Sequence, residues 1–144
     1  MIRVLVSPAP IDVAAELAAL EASGAVATFT GLVRADDGVA VLELEHYPGA
    51  TEAALERLTA EATARWSLAA ATIVHRVGPM RPGERIVFVG TASPHRAAAL
   101  EACAFLIDRL KTDAPFWKRE TVGGEPRWVE ARTTDDTAAA RWQS

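Results

Sequence analysis

At 144 residues, 50% hydrophobic and 24% charged, the chain has the length and mixture of one globular domain with its own core. A net charge of −4 and the lack of any long basic run argue against a nucleic-acid surface, and no window approaches the roughly 18 apolar residues that a membrane span needs. One cysteine excludes an intramolecular disulfide and suits a reducing cytoplasm.

The opening MIRVLVSPAPIDV contains a strand over Ile2–Val6 and lacks the small-residue cleavage site of a signal peptide. IDVAAELAALEASG is a first helix with Asp12 near its start, leucines at 17 and 20, and Gly24 as its stop. AVATFTGLVR and VAVLELEHY read as strands, and the turn chemistry of RADDG between them predicts a hairpin. Thr51 opens a second helix with Glu52 in its first turn and Leu55, Leu58 and Ala62 on one face. ATIVHRV and RIVFVGTA are β-branched strands separated by the Gly/Pro-rich GPMRPGE.

Ser93-Pro94 predicts the start of a third helix, a cap followed by proline at the first helical position. Its buried stripe is expected at Leu100, Cys103, Ala104, Ile107 and Leu110, and Pro115 ends it. FWKRETV and RWVEAR then flank GGEP as a last hairpin. Residues 1–132 are read as one domain and 133–144 as a polar, alanine-rich tail. The order β-α-β-β-α-β-β-α-β-β, with short turns between adjacent strands, predicts an α+β fold with a mostly antiparallel sheet and three main helices.

The chain has two lysines among its 15 basic residues, and both lie in KTDAPFWK, as Lys111 and Lys118. Only an ammonium loses its proton readily enough to serve as a nucleophile or base. Lys111 falls in the last turn of the third helix, where a cation is welcome without any function. Lys118 starts the next strand, and the reversal at Pro115 allows the two amines to converge on a phosphate or on a reacting centre. At the other end of the helix, His95 and Arg96 occupy a first turn that ordinarily prefers acids. Two potential cations beside free N–H groups suit a bound anion, although solvated surface side chains fit the position equally well. Residues 95 and 111 are about 24 Å apart along a helix. Either the two ends serve unrelated sites, or one site is built across a homodimer.

Other chemistries fall away. His46, His75 and His95 have no paired metal spacing and there is no CxxC, so no metal or other cofactor is expected. GxSxG and a phosphate-binding glycine loop are also missing. Cys103 lies on the apolar stripe and reads as a buried structural thiol. Glu43 and Glu45 alternate on a strand and are expected to face solvent, and the four tryptophans suit core or interface equally.

TFTGLVR, LELEHYPG, VHRVG, ASPHR and LKTDAPFWKRE followed by RWVEAR closely resemble, in that order, the catalytic (large) subunit of molybdopterin synthase. The likeness runs from about Ile11 to the terminal ARW; the loop ADDGVA after Arg34 is shorter than the family pattern. The resemblance implies an α/β-hammerhead fold and a cytoplasmic sulfurtransferase of molybdenum cofactor biosynthesis. The implied reaction converts cyclic pyranopterin monophosphate (precursor Z) to molybdopterin by installing two sulfurs. The implied sulfur donor is a thiocarboxylate on the C-terminal Gly-Gly of a small ubiquitin-like subunit. The implied assembly is a heterotetramer around a homodimer of the large subunit.

Residue by residue, Lys111 matches the family's catalytic lysine and Lys118 its second active-site lysine. Leu32, Val33 and Arg34, His95 and Arg96, and Lys118, Arg119 and Glu120 match substrate-contacting segments, and Arg132 matches an arginine near the pocket. The principal rival is a non-enzymatic α+β dimer that binds an anionic metabolite or a protein tail. It accounts for the helix-start cations but not for two lysines among arginines.

Overall fold

The computed structural model describes residues 1–21, 24–35, 38–129 and 140–142. Its elements are β1 (Ile2–Ser7), α1 (Val13–Leu20), β2 (Ala25–Leu32), β3 (Val39–His46), α2 (Ala50–Trp66), β4 (Ala70–Arg76), β5 (Gly78–Met80), β6 (Arg85–Ser93), α3 (Arg96–Asp113), β7 (Phe116–Val122) and β8 (Glu125–Val129). They form two four-stranded sheets, in the orders β1-β4-β6-β2 and β5-β3-β7-β8. All pairings are antiparallel except β1 with β4, so the α+β expectation holds. No helix among the described residues is long and apolar enough to cross a membrane.

The central strands of the first sheet, β4 and β6, are covered on both faces. Every residue of β4, AATIVHR, is buried, as a near-continuous apolar strand between two covered faces requires. On one face Leu55, Leu58 and Ala62 of α2 join Phe105, Leu106 and Leu110 of α3 against Ile73 and Val89. On the other, Leu20 of α1 packs with Val74 and Phe88. A third cluster, Val33, Leu42, Leu44 and Met80, joins the end of the first sheet to the inner face of the second.

The predicted hairpin between β2 and β3 does not form. β2 pairs with β6, whereas β3 pairs with β5 and β7 in the other sheet. The chain does turn after Leu32, but Val33 is drawn into the third cluster and bonds sideways. Its N–H donates to the Glu84 carbonyl, and its own carbonyl accepts from Gly83 N–H, both at 2.9 Å. Local turn chemistry dictates that a chain reverses, not which strand becomes its neighbour. The short β5 escaped prediction because its sequence is GPM.

Two helix boundaries also move. α1 is capped as expected, with Asp12 Oδ1 accepting from Ala15 N at 3.1 Å, but it ends at Leu20. Gly24 is instead a point of close approach, since a Cβ there would lie 2.6 Å from the Pro94 carbonyl oxygen. α3 begins at Arg96 with His95 as its N-cap. Ser93 belongs to β6, and its hydroxyl accepts from His95 N–H at 3.2 Å. The buried stripe of α3 is Ala99, Ala102, Cys103, Phe105, Leu106 and Leu110, while Leu100 stands 58% exposed.

Of the tail, residues 133–139, 143 and 144 lie outside the described residues. Trp142 packs edge-to-face on Trp66 and Phe105, and its indole N–H donates to Asp108 Oδ2 at 2.6 Å. Arg141 pairs with the same carboxylate, so this end of the chain is pinned to the outer side of α2 and α3.

Candidate active site

The reversal between α3 and β7 is built from the sequence around Pro115. Proline cannot donate to the helix ladder, so the last helical bond is Ala114 N–H to the Leu110 carbonyl at 3.3 Å. Leu110 is buried and Lys111, one residue on, is exposed. Arg109 holds Asp113 Oδ2 through two N–H groups, at 2.8 and 2.6 Å, and Glu61 of α2 at 2.9 Å. On the buried side, the Thr51 hydroxyl donates to the Pro115 carbonyl at 2.9 Å.

Alternation along β7 then sorts its side chains between two faces. Phe116, Lys118 and Glu120 lie opposite His46, Leu44 and Leu42, and both leucines belong to the third core cluster. Lys118 and Glu120 therefore occupy the inner side. Glu120 stands between two cations, 3.7 Å from Lys118 Nζ and 3.6 Å from an Arg127 guanidinium nitrogen. Arg119 and Trp117 take the outer side. There Arg119 pairs with Glu43 and lies over the Trp128 ring, and Trp117 meets Tyr47 and Trp128 edge-to-face.

His75 backs this corner. Its Nδ1–H donates to the Arg76 carbonyl at 2.9 Å, and its ring stacks on Phe116 with centroids 4.2 Å apart. Burial pushes the imidazole pKa down to about 4; the carbonyl contact opposes this, and the nearby positive charges of Lys111 and His46 add to it. The buried ring is therefore neutral at pH 7. His46 in turn has its Nε2 3.7 Å from Glu52.

The remaining candidates separate by position. β2 runs antiparallel to β6, so Leu32 lies across from Arg85 at the start of β6. α3 runs back along the sheet from the end of β6, and Leu106 and Leu110 reach the Val87 region. Leu32, Val33 and Arg34 therefore share the end of the molecule that carries Lys111, Lys118 and Glu120. Leu32 and Arg34 are exposed, and the Val33 side chain is core. His95 and Arg96 are exposed at the opposite end of α3, about 24 Å away. One protomer does not bring them to the lysines. Arg132, and Asp36 and Asp37 of the short loop, lie outside the described residues.

Sequence reasoning missed Thr51, His75 and Arg127 as parts of this corner. A histidine inside an otherwise apolar strand was the available signal for His75, and period-2 alignment with Glu120 was the signal for Arg127. Nothing local marked Thr51. Cys103 is buried as expected, and burial raises its thiol pKa to about 11. It is poorly suited to act as a thiolate at neutral pH.

An α+β domain with two lysines and a carboxylate flanking one helix–strand turn, and its one cysteine buried, has groups suited to proton transfer and charge stabilisation but no accessible thiol. The chain belongs to the MoaE protein family, the catalytic subunits of molybdopterin synthase in molybdenum cofactor biosynthesis, whose model matches residues 6–113. It is 52% identical to the molybdopterin synthase catalytic subunit of Salmonella typhimurium, over 97% of each chain. The solved MoaE protein of Burkholderia ambifaria superposes with a TM-score of 0.86 at 50% identity, covering 99% of this chain and 98% of that one. A chain in the Helicobacter pylori complex of subunits 1 and 2 of molybdopterin-converting factor shares the fold, with a TM-score of 0.75, 20% identity and 91% of each chain covered. The family is one of enzymes, which disposes of the non-enzymatic rival.

Proposed function

We propose that this chain transfers sulfur from the thiocarboxylated Gly-Gly terminus of a small ubiquitin-like subunit to cyclic pyranopterin monophosphate, forming the dithiolene of molybdopterin in the cytoplasm. The observation that carries this reading is that Lys111, in the last turn of α3, and the Lys118–Glu120 pair of β7 flank the Pro115 turn, next to the His75–Phe116 stack. The buried Cys103 leaves sulfur supply to a partner. Residues 1–132 act as one domain, with 133–144 as its tail.

The thiocarboxylate sulfur attacks an oxygen-bearing carbon of the pterin side chain; the C–O bond breaks and its oxygen leaves with a proton. Water then hydrolyses the acyl–sulfur bond, which returns the Gly-Gly carboxylate and leaves a thiol on the product. Lys111 moves a proton or stabilises charge at the reacting carbon. Arg34, with His95 and Arg96 from a second subunit, holds the cyclic phosphate, since a planar guanidinium matches phosphate oxygens. Lys118 adds to the positive charge facing the substrate, Glu120 sets the position of Lys118, Arg119 braces the strand from its outer side, and Arg132 is assigned to substrate binding by its match to the family pattern.

The test is single-turnover conversion of cyclic pyranopterin monophosphate with a thiocarboxylated small subunit. Lys111→Ala is expected to lose on the order of 10²-fold or more in rate. Conversion by this variant at the wild-type rate defeats the assignment.

A further inference from the structure

Thr51 is 0% exposed in the first turn of α2, yet it bonds away from its own helix. A buried helical threonine ordinarily satisfies its hydroxyl on the carbonyl one turn back. Buried Thr59 and half-buried Thr63 do so, with the Leu55 and Thr59 carbonyls at 2.5 and 2.8 Å. Thr51 instead donates to Pro115, 64 residues on, at 2.9 Å, and accepts from Tyr47 N–H at 3.0 Å. The Thr51 N–H completes the ring by donating to the Tyr47 carbonyl at 2.9 Å.

Pro115 lies between the helix end that carries Lys111 and the strand start that carries Lys118. Its carbonyl is its sole backbone hydrogen-bonding group, and Thr51 holds it. A second polar tie from α2 to this turn, Glu61 through Arg109 to Asp113, lies at the surface, where ion pairs hold weakly. On the far side of the hydrogen bond, Phe116 is fixed by its stack on His75. Pro115 and Phe116 are therefore gripped from two directions, and the angle between α3 and β7 follows from that grip.

We infer that Thr51 is a positioning residue for sulfur transfer: its hydroxyl fixes the Pro115 carbonyl and so sets the Lys111 and Lys118 amines relative to each other. The inference rests on the reading that both lysines serve one site. Thr51 touches no reacting atom; its effect passes through the turn.

The experiment compares Thr51→Val, Thr51→Ser and Thr59→Val with Lys111→Ala, each assembled with the thiocarboxylated small subunit. Thr51→Val removes the hydroxyl at nearly constant volume, and kcat is expected to fall about tenfold or more while KM changes by less than about threefold. Thr51→Ser restores the rate. Thr59→Val, which loses an equally buried hydroxyl of the same helix, lowers thermal stability but keeps the wild-type rate. Amide hydrogen exchange over residues 112–117 rises in Thr51→Val and not in Thr59→Val, a readout that needs no turnover. Should Thr51→Val fail to fold, Thr51→Ala is read in the same way.

Wild-type kcat and exchange in Thr51→Val, beside an inactive Lys111→Ala, overturn the positioning role alone. So does an equal loss of rate in Thr59→Val, which reduces the effect to general destabilisation. An active Lys111→Ala overturns the lysine assignment and this inference with it.

Discussion

Lys118 and Arg119 are consecutive in β7 and stand on opposite faces of their sheet. Lys118 faces Leu44 and the inner side, 3.7 Å from Glu120, whereas Arg119 faces Glu43 on the outer side. Their substitutions are expected to separate accordingly. Lys118→Ala removes a site amine and is expected to slow turnover on the order of 10²-fold. Arg119→Ala is expected to cost less than about tenfold in rate and less than about 1 kcal/mol in stability, as for a partly exposed ion pair. Activity and urea midpoints measured on the two variants side by side check both numbers.

Stability is expected to fall with acidity through His75. Its folded pKa, about 4, lies below the ordinary imidazole value of about 6.5. As pH drops below the unfolded value, the unfolded chain takes up a proton that the folded chain refuses, so folding weakens until the folded pKa is passed. Between pH 7 and pH 5 this amounts to about 2 kcal/mol. His75→Phe keeps an aromatic ring against Phe116 and is expected to flatten that part of the pH–stability curve. Denaturation midpoints at the two pH values, for both proteins, measure the difference.

The separation of His95 and Arg96 from the lysines leads to a complementation experiment. Lys111→Ala and His95→Ala/Arg96→Ala chains are each expected to be nearly inactive as homodimers. Mixed dimers retain one intact composite site and are expected to recover up to about half of the wild-type rate per dimer, half of the two sites being whole. Mixed dimers no more active than either parent would show that the helix-start cations serve some other purpose.

Cys103 gives a prediction of no change. Its thiol is buried and its pKa is raised to about 11 by that burial, so it is expected neither to carry nor to relay sulfur. Cys103→Ala is expected to keep wild-type sulfur transfer and to lose about 1 kcal/mol of stability, the scale of a small deleted core group. In the native protein the thiol is expected to react with a disulfide reagent only as fast as the chain opens, which timed labelling with and without urea measures.

Much of the architecture was legible in the chain. The apolar run of β4, the Leu55–Leu58–Ala62 face of α2, the β7–β8 hairpin and the break at Pro115 all follow from short-range periodicity and turn chemistry. So does the clustering of both lysines at that break. These features are local, and local sterics and hydrophobic spacing decide them. The residues that resembled a known family were likewise readable, because they lie in contiguous motifs.

What only the tertiary structure decided is how distant segments meet. Whether β2 pairs with β3 or β6 depends on which partner buries more surface and satisfies Val33's backbone, and no turn motif records that. Leu100 fits the helical stripe by spacing but stands outside it, because the buried face of α3 is rotated toward Ala102, Phe105 and Leu106. Thr51 looked like a helix opener, and its role in holding Pro115 exists only once α2 lies antiparallel to α3. KTDAPFWK by itself specifies two amines and a turn. The angle between those amines is set by Thr51 and His75, residues 64 and 41 positions away from the Pro115 and Phe116 they hold, through one hydrogen bond and one stacked ring.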